Sequence, residues 1–296
     1  MKHARLHSLV ERARLRAAGR ALPRIALVWP CDALAQEAAH AIRGAGIAEV
    51  VLVGPAARIG PTTFEVVDTP DEPSEAARFA VTMARAGRVS ALMKGSLHTD
   101  ELMSVVVARE TGLRGSRRIS HVFLFDLPTY PKLLALADCV VNIAPDLNTK
   151  HDILANGLDL LRTLGIARPK TGIVAAVETV NPAITATLHA SDLVDRARSG
   201  AFGDALVEGP FGFDIAFSTA AARIKGLKSE VAGDADLLLM PHINAGNILY
   251  KSFVYAAGGE CAGLVLGTRV PVVLTSRTDS LHARVASVAL AVLSAF

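Results

Sequence analysis

The sequence predicts an α/β protein in which one domain is inserted into another. Three observations carry this. Strand-like and helix-like patterns alternate along nearly all of the 296 residues, as expected for parallel strands joined by right-handed crossovers. The chain is long enough for two domains, and 51% of its residues are hydrophobic, mostly Ala, Val and Leu, which is ample for two cores. The tight alternation loosens near residue 115 and returns near residue 263. The first and last parts, 1–114 and 263–296, are therefore expected to share one sheet as a first domain. Residues 115–262 form the inserted second one, with the ligand site in the cleft between them.

The elements follow in order. Residues 1–20 carry Lys2, Arg5, Arg12, Arg14, Arg16 and Arg20 with Leu6, Leu9, Val10 and Leu15 between them, a surface helix packed on the body rather than a membrane-surface helix. Residues 25–29 read as a buried strand, and Asp32 as the cap of the next helix. Strands are expected at 50–53, 64–67 and 91–94, and helices at 74–86 and 99–110. In the middle, 122–125 and 139–143 read as strands flanking a turn-rich insert, DLPTYPK. Helices follow at 153–164 and 182–197, with a strand at 172–176 between them. A Gly-rich stretch at 200–213 precedes a helix at 214–225. Leu237, Leu238 and Leu239 make a buried strand that Pro241 ends. Residues 263–266 and 271–275 are strands, and a helix runs from 279 to the end.

Composition excludes several classes. Aromatic residues make up 5% of the chain, too few for a base-stacking surface, and a net charge of +3 does not imply a polyanion partner. Cys31, Cys139 and Cys261 have no metal-like spacing and read as buried apolar residues of a reducing compartment. No apolar run approaches a membrane span, and no uninterrupted signal core opens the chain, so a cytoplasmic protein without membrane or nucleic-acid partners is expected.

Four polar clusters stand out: RRISHV precedes a predicted strand, and the other three lie beyond strand carboxyl ends. In open α/β sheets that is where ligands bind. The first is MPHINAGNILYK, where His242, Asn244 and Asn247 crowd a turn and Gly246 leaves room for a ligand; Lys251 can point back at the same cleft. The second is TSRTDS, residues 275–280. Ser276 and Thr278 are candidate helix caps, and Arg277 at a helix start opposes the macrodipole unless an anion binds there. Asp279 reads as a first-turn charge or an acid/base group. The third is MKGSLHTDE, with Lys94, Ser96 and His98 at a strand end and Thr99 as a cap. The fourth is RRISHV, where Arg117 and Arg118 invite an anion. Asn142 and Asp146 read as a cap and turn pair. No Walker, GxGxxG or GxSxG motif is present, since GAG at 44–46 lies between a helix and a strand.

KGSLHTDE, RRISHVF, ADCVVNIAPD, ETVNPAITAT, EGPFGFDIAFS, KGLKSEVAGDADLLLMPHINAGNILYK and PVVLTSRTDS, in that order from about residue 20 onward, together resemble the phosphate acetyltransferase and phosphate butyryltransferase family, on its butyryltransferase-like side. That side includes the acyltransferase half of fusions with enoyl-CoA hydratase domains. The resemblance implies a two-domain fold similar to isocitrate and isopropylmalate dehydrogenases, a homodimer or larger assembly, and no tightly bound cofactor. It implies reversible acyl transfer between coenzyme A and phosphate, with acyl phosphate as the other reactant. By the family's motif, Ser276 steadies the transition state and Arg277 binds phosphate. Acetyltransferase-type members carry an aspartate at the position of about Ala283; here the nearest carboxylate is Asp279, and a dedicated base is dispensable for a partly ionised thiol. Lys94, His98, Thr99, Arg118, Asn244, Asn247 and Lys251 are the expected phosphate and coenzyme A contacts. Two rival expectations remain. A metal- and NAD-dependent dehydrogenase would use His98, His121 or His242 as ligands, and an inactive module would bind coenzyme A without turnover.

Overall fold

The computed structural model describes residues 3–276 and 278–295. Lys2 and Arg277 therefore lie outside the described residues. The first stretch folds into α1 (Ala4–Ala17), β1 (Arg24–Val28), α2 (Ala33–Gly44), β2 (Glu49–Val53), α3 (Ala56–Ile59), β3 (Glu65–Val67), α4 (Pro73–Arg85), β4 (Ala91–Lys94) and α5 (Thr99–Val106). The middle folds into β5 (Ser120–Asp126), β6 (Leu134–Ala137), α6 (Leu147–Thr163), β7 (Lys170–Val174), α7 (Thr185–Arg198), β8 (Leu206–Phe211), α8 (Phe213–Phe217), α9 (Thr219–Ile224), β9 (Leu237–Leu239) and α10 (Ile243–Tyr255). β10 (Glu260–Leu266), β11 (Val272–Val273) and α11 (Leu281–Ala295) complete it. These elements fall into two compact units. One comprises Leu6–Ile119 with residues 261–295, the other Ser120–Glu260 with residues 3–5.

In the first unit the strands lie in the order β3-β2-β1-β4-β11-β10. All neighbours are parallel except β10 and β11. Strands buried on both faces read as continuous apolar runs, which is why β1 and β4 stood out in the sequence. The register aligns the carboxyl ends: Val28 lies opposite Val53 and Lys94, and Val273 opposite Met93. The segments after β1, β4 and β11 therefore leave the sheet side by side at one edge. Asp32 caps α2 as expected, its carboxylate accepting from the Ala35 N–H at 2.8 Å. α1 buries Leu6, Leu9, Val10, Ala13 and Ala17, and Arg16 donates to the Leu293 carbonyl of α11. Leu15 faces outward, so the apolar stripe is narrower than the composition of this helix suggests. Among the described residues no helix is long and apolar enough to cross a membrane.

In the second unit the order is β5-β6-β9-β7-β8, with β5 antiparallel to β6 and the rest parallel. Ala137, Leu239 and Ile173 are level with one another, so the loops after β6, β9 and β7 again share an edge. The insert before β6 is pinned by Tyr130, whose hydroxyl donates to the Ala235 carbonyl at 2.7 Å, and by Lys132, which bridges Asp234 and Asp236.

Two expectations are corrected here, and a stretch left unassigned holds a strand. The strand expected at 139–143 is the preceding LALA run, β6, and 139–143 is an irregular loop. An apolar run alone does not say whether its backbone pairs with a strand or wraps a buried group, and here it wraps Asp138. The Gly-rich stretch contains a strand, β8: Gly209, at φ 150°, has Ile173 O only 2.8 Å from where a Cβ would sit. There glycine permits close strand approach rather than a loop. The helix expected at 214–225 is broken at Ser218, which is extended and caps α9 through the Ala221 N–H.

Candidate active site

In the first unit, Lys94 closes β4 and is 5% exposed. Its ammonium turns back to donate to the carbonyls of Gly95 and Leu97, each at 3.1 Å, bracing the turn that follows. Gly95 is required there, because a Cβ would sit 2.5 Å from the Val28 carbonyl. Ser96 ties this turn to the end of β1, donating to Trp29 O at 2.8 Å and accepting from the Cys31 N–H at 3.3 Å. The cap position of α5 is held by His98, not Thr99, which is the first helical residue; the His98 N–H donates to the Glu101 carboxylate at 2.6 Å. Both side chains are exposed.

Beside this turn, the segment after β11 forms a compact loop. The Ser276 N–H donates to the Asp279 carboxylate at 2.7 Å, and the Asp279 N–H to the Ser276 carbonyl at 3.2 Å. The Ser276 hydroxyl lies 3.0 Å from that of Thr278 and accepts from the Thr278 N–H. Neither Ser276 nor Thr278 caps α11. Ser280 does, accepting from the Ala283 N–H at 3.0 Å. Asp279 closes the turn that presents Ser276. Sequence reading missed Arg284, which reaches under this loop from α11: it donates to Ser276 O at 2.7 Å, and to Thr275 Oγ1 and Asp279 O at 3.4 Å each. One arginine within an otherwise apolar helix was the available signal.

The backbone at Arg118 lies elsewhere. Its carbonyl packs against Gly267, in the turn that enters β11 from the amino end, so Lys94 and Ser276 occupy one edge of the sheet and Arg118 the other.

In the second unit, the Asp138 carboxylate sits 3% exposed at the end of β6. It accepts from the N–H groups of Val140, Val141, Asn142 and His121, and from the Asn142 side-chain amide at 2.6 Å. The Asn142 amide thus ties this turn to Asp138. Asp146 caps α6 through the Thr149 N–H at 2.7 Å. The start of α10 rests on this loop. The Ile243 N–H donates to Ile143 O at 3.0 Å, and the Asn247 amide to Cys139 O at 3.3 Å. His242 caps the helix through Nδ1, accepting from the Ala245 N–H. Gly246 is needed for this packing, since a Cβ would lie 2.6 Å from Asp138 O; ligand access is not what excludes a side chain there. Asn244, Asn247 and Lys251, spaced by three and four, share a flank of α10, with Asn244 and Lys251 exposed.

Three further buried or paired groups lie in this unit; of them, only His121 was a candidate from the sequence, as a metal ligand. His121 is fully buried with neither ring nitrogen hydrogen-bonded, and desolvation pulls its pKa down to about 4. Lys150, 4% exposed, lies 3.1 Å from His189 Nδ1, and burial lowers its pKa to about 8. Lys225 bridges Glu178 and Asp214, the latter at 3.0 Å, which joins ETVNP, GPFGFD and KGLK at the carboxyl ends of β7 and β8. Long sequence separation hid the Lys150–His189 and Lys225–Glu178 pairings. Among the described residues no group of three His, Cys, Asp or Glu side chains could hold a metal ion.

Parallel strands with buried loop anchors and exposed polar loops at their carboxyl ends define an α/β protein of the class that binds ligands at its strand ends. A family model described as "Phosphate acetyl/butaryl transferase" matches residues 60–292. The phosphate acetyltransferase of Rhizobium meliloti is 44% identical over 95% of this chain and 92% of its own. The phosphate butyryltransferase of Clostridium acetobutylicum is 37% identical over 93% and 94%. The crystal structure of a branched-chain phosphotransacylase from Enterococcus faecalis superposes with a TM-score of 0.83, at 27% identity, covering 93% of this chain and 99% of that one. The chain belongs to the phosphate acetyl/butyryl transferase family.

Proposed function

We propose that the protein transfers an acetyl or other short acyl group reversibly between coenzyme A and inorganic phosphate. Its likeness, along nearly the whole chain, to both acetyl- and butyryl-transferring enzymes carries this reading. In the thioester-forming direction the coenzyme A sulfur attacks the carbonyl carbon of the acyl phosphate. The carbon–sulfur bond forms, the carbon–oxygen bond to phosphorus breaks, and phosphate leaves with the electron pair. A thiol of pKa ~8.5 is partly ionised at neutral pH, so this step needs no dedicated base.

In this reading Ser276, Arg277 and Asp279 serve catalysis, with Asp279 shaping the loop. Lys94, His98, Thr99, Asn244, Asn247 and Lys251 hold the phosphorylated reactants. Arg118, whose carbonyl packs against Gly267, supplies a further counter-charge in this reading. Amide and hydroxyl donors aimed at the developing oxyanion would each contribute ~3 kcal/mol. The unit of Ser120–Glu260 is the inserted domain, as in isocitrate and isopropylmalate dehydrogenases. The enzyme works as a homodimer or larger assembly without a resident cofactor, coenzyme A being a substrate. The test is to incubate the protein with coenzyme A and acetyl, propionyl or butyryl phosphate and follow thioester absorbance. Thioester should accumulate with at least one of them; no turnover with any of the three overturns the proposal.

A further inference from the structure

Arg284 is the only Asp, Glu, Lys or Arg between residues 281 and 295. It is 3% exposed, and burial lowers its pKa. Taking a guanidinium out of water is unfavourable, and the usual compensation is a carboxylate in contact. Arg284 has none: among the described residues it forms no ion pair, although Asp279 and Asp32 act on it from further away. Its donors go instead to oxygens at both ends of the loop that follows β11. Ser276 O receives the shortest bond at 2.7 Å, with Thr275 Oγ1 at the loop's start and Asp279 O at its close.

A buried arginine with no carboxylate in contact is a poor device for stability, because the cost of taking its charge out of water is not offset by an opposite charge. It is a good device for geometry. The planar guanidinium fixes several acceptors at once, and the carbonyls it holds are those of Ser276, whose hydroxyl the loop presents, and of Asp279. The Asp279 to Ser276 bond closes the turn from above, and Arg284 fixes the turn to the rigid helix from below. Helix α11 buries eleven of its residues, so it is a firm base. Among the described residues of the loop, Ser276 and Thr278 are exposed.

We propose that Arg284 is a positioning residue for acyl transfer: from beneath, it fixes the backbone of the Ser276–Asp279 turn, and with it the placement of the Ser276 hydroxyl. This rests on the reading of that loop as catalytic. A misplacement of about 1 Å at a reacting group costs on the order of 10²-fold in rate.

The experiment uses the full chain carrying Arg284→Met, Arg284→Lys or Arg284→Ala. Arg284→Met should keep or raise Tm while kcat falls on the order of 10²-fold, with KM for coenzyme A nearly unchanged. Arg284→Ala should recover part of its kcat in sub-denaturing guanidinium chloride but not in sodium chloride of equal ionic strength. Arg284→Lys should restore only a fraction, because it lacks the planar fork. Wild-type kcat in Arg284→Met, or a lowered Tm with kcat intact, overturns the proposal. Failure of all three variants to fold also overturns it, in favour of a structural role. Amide hydrogen exchange provides a readout free of catalysis: Ser276, Thr278 and Asp279 should exchange faster in Arg284→Met. If the wild type shows no turnover but this exchange difference is present, the acyl-transfer reading fails and the positioning role stands.

Discussion

The two units meet the same local problem with opposite charges. After β6, the loop of residues 138–142 turns its N–H groups inward, and a buried carboxylate, Asp138, collects them. After β11, Ser276 and Asp279 turn carbonyls and Thr275 a hydroxyl inward, and a buried guanidinium, Arg284, collects those. In each case a short irregular segment at a strand's carboxyl end is made rigid without a hydrophobic core of its own. The comparison teaches that the sign of the buried charge follows from the direction of the backbone dipoles it must satisfy. The two anchors differ in what rests on them. Asp138 supports the loop on which helix α10 packs, whereas Arg284 holds only the Ser276 turn. Losing Asp138 should therefore disturb the fold, and losing Arg284 chiefly the geometry of one loop.

The largest expected effect tests that asymmetry. Asp138→Ala strands several buried N–H donors and undercuts α10, and should cost about 3–5 kcal/mol in denaturant unfolding. A loss below about 1 kcal/mol would show that the loop satisfies its donors in another way and that the parallel with Arg284 is superficial. A smaller effect sharpens the role of the packed helix start. Gly246→Ala places a methyl group against Asp138 O and should destabilise by about 1–3 kcal/mol. Were Gly246 there to admit a ligand instead, Tm would stay level and only substrate KM would rise. The smallest effect separates the cap of α11 from the turn before it. Ser280→Ala removes the Ala283 hydrogen bond and should cost about 1 kcal/mol while leaving kcat largely intact. If Ser276→Ala destabilised as much, Ser276 would be a structural cap after all.

Much of this organisation was legible because it depends on local pattern. β1, β2, β4 and β9 are buried on both faces and read as apolar runs. Asp32 and Asp146 announce helix starts because their short carboxylates reach N–H groups three residues on. The reading failed where one residue type serves two ends. Gly209 looks like a loop residue and lies in a strand; the apolar run at 139–141 looks like a strand and wraps a carboxylate. The polar clusters were found, but the internal bonding of each was not. Lys94 turns into its own turn, Asn247 reaches Cys139, and Asp279 closes on Ser276.

By itself the sequence determined the alternating α/β plan, the strand-end location of the polar clusters and, through seven ordered motifs, the acyltransferase family. These are short-range properties, set by side-chain period, capping chemistry and residue order. Only the tertiary structure decided that Arg284 lies under the Ser276 turn, that Asp138 gathers its loop, that Lys150 meets His189, and that Glu178, Asp214 and Lys225 form one network. Each of these follows from strand register and helix packing, which bring residues 39 or 47 positions apart into contact and choose which backbone groups face inward. A buried charge takes its meaning from that environment, and no window of sequence contains it.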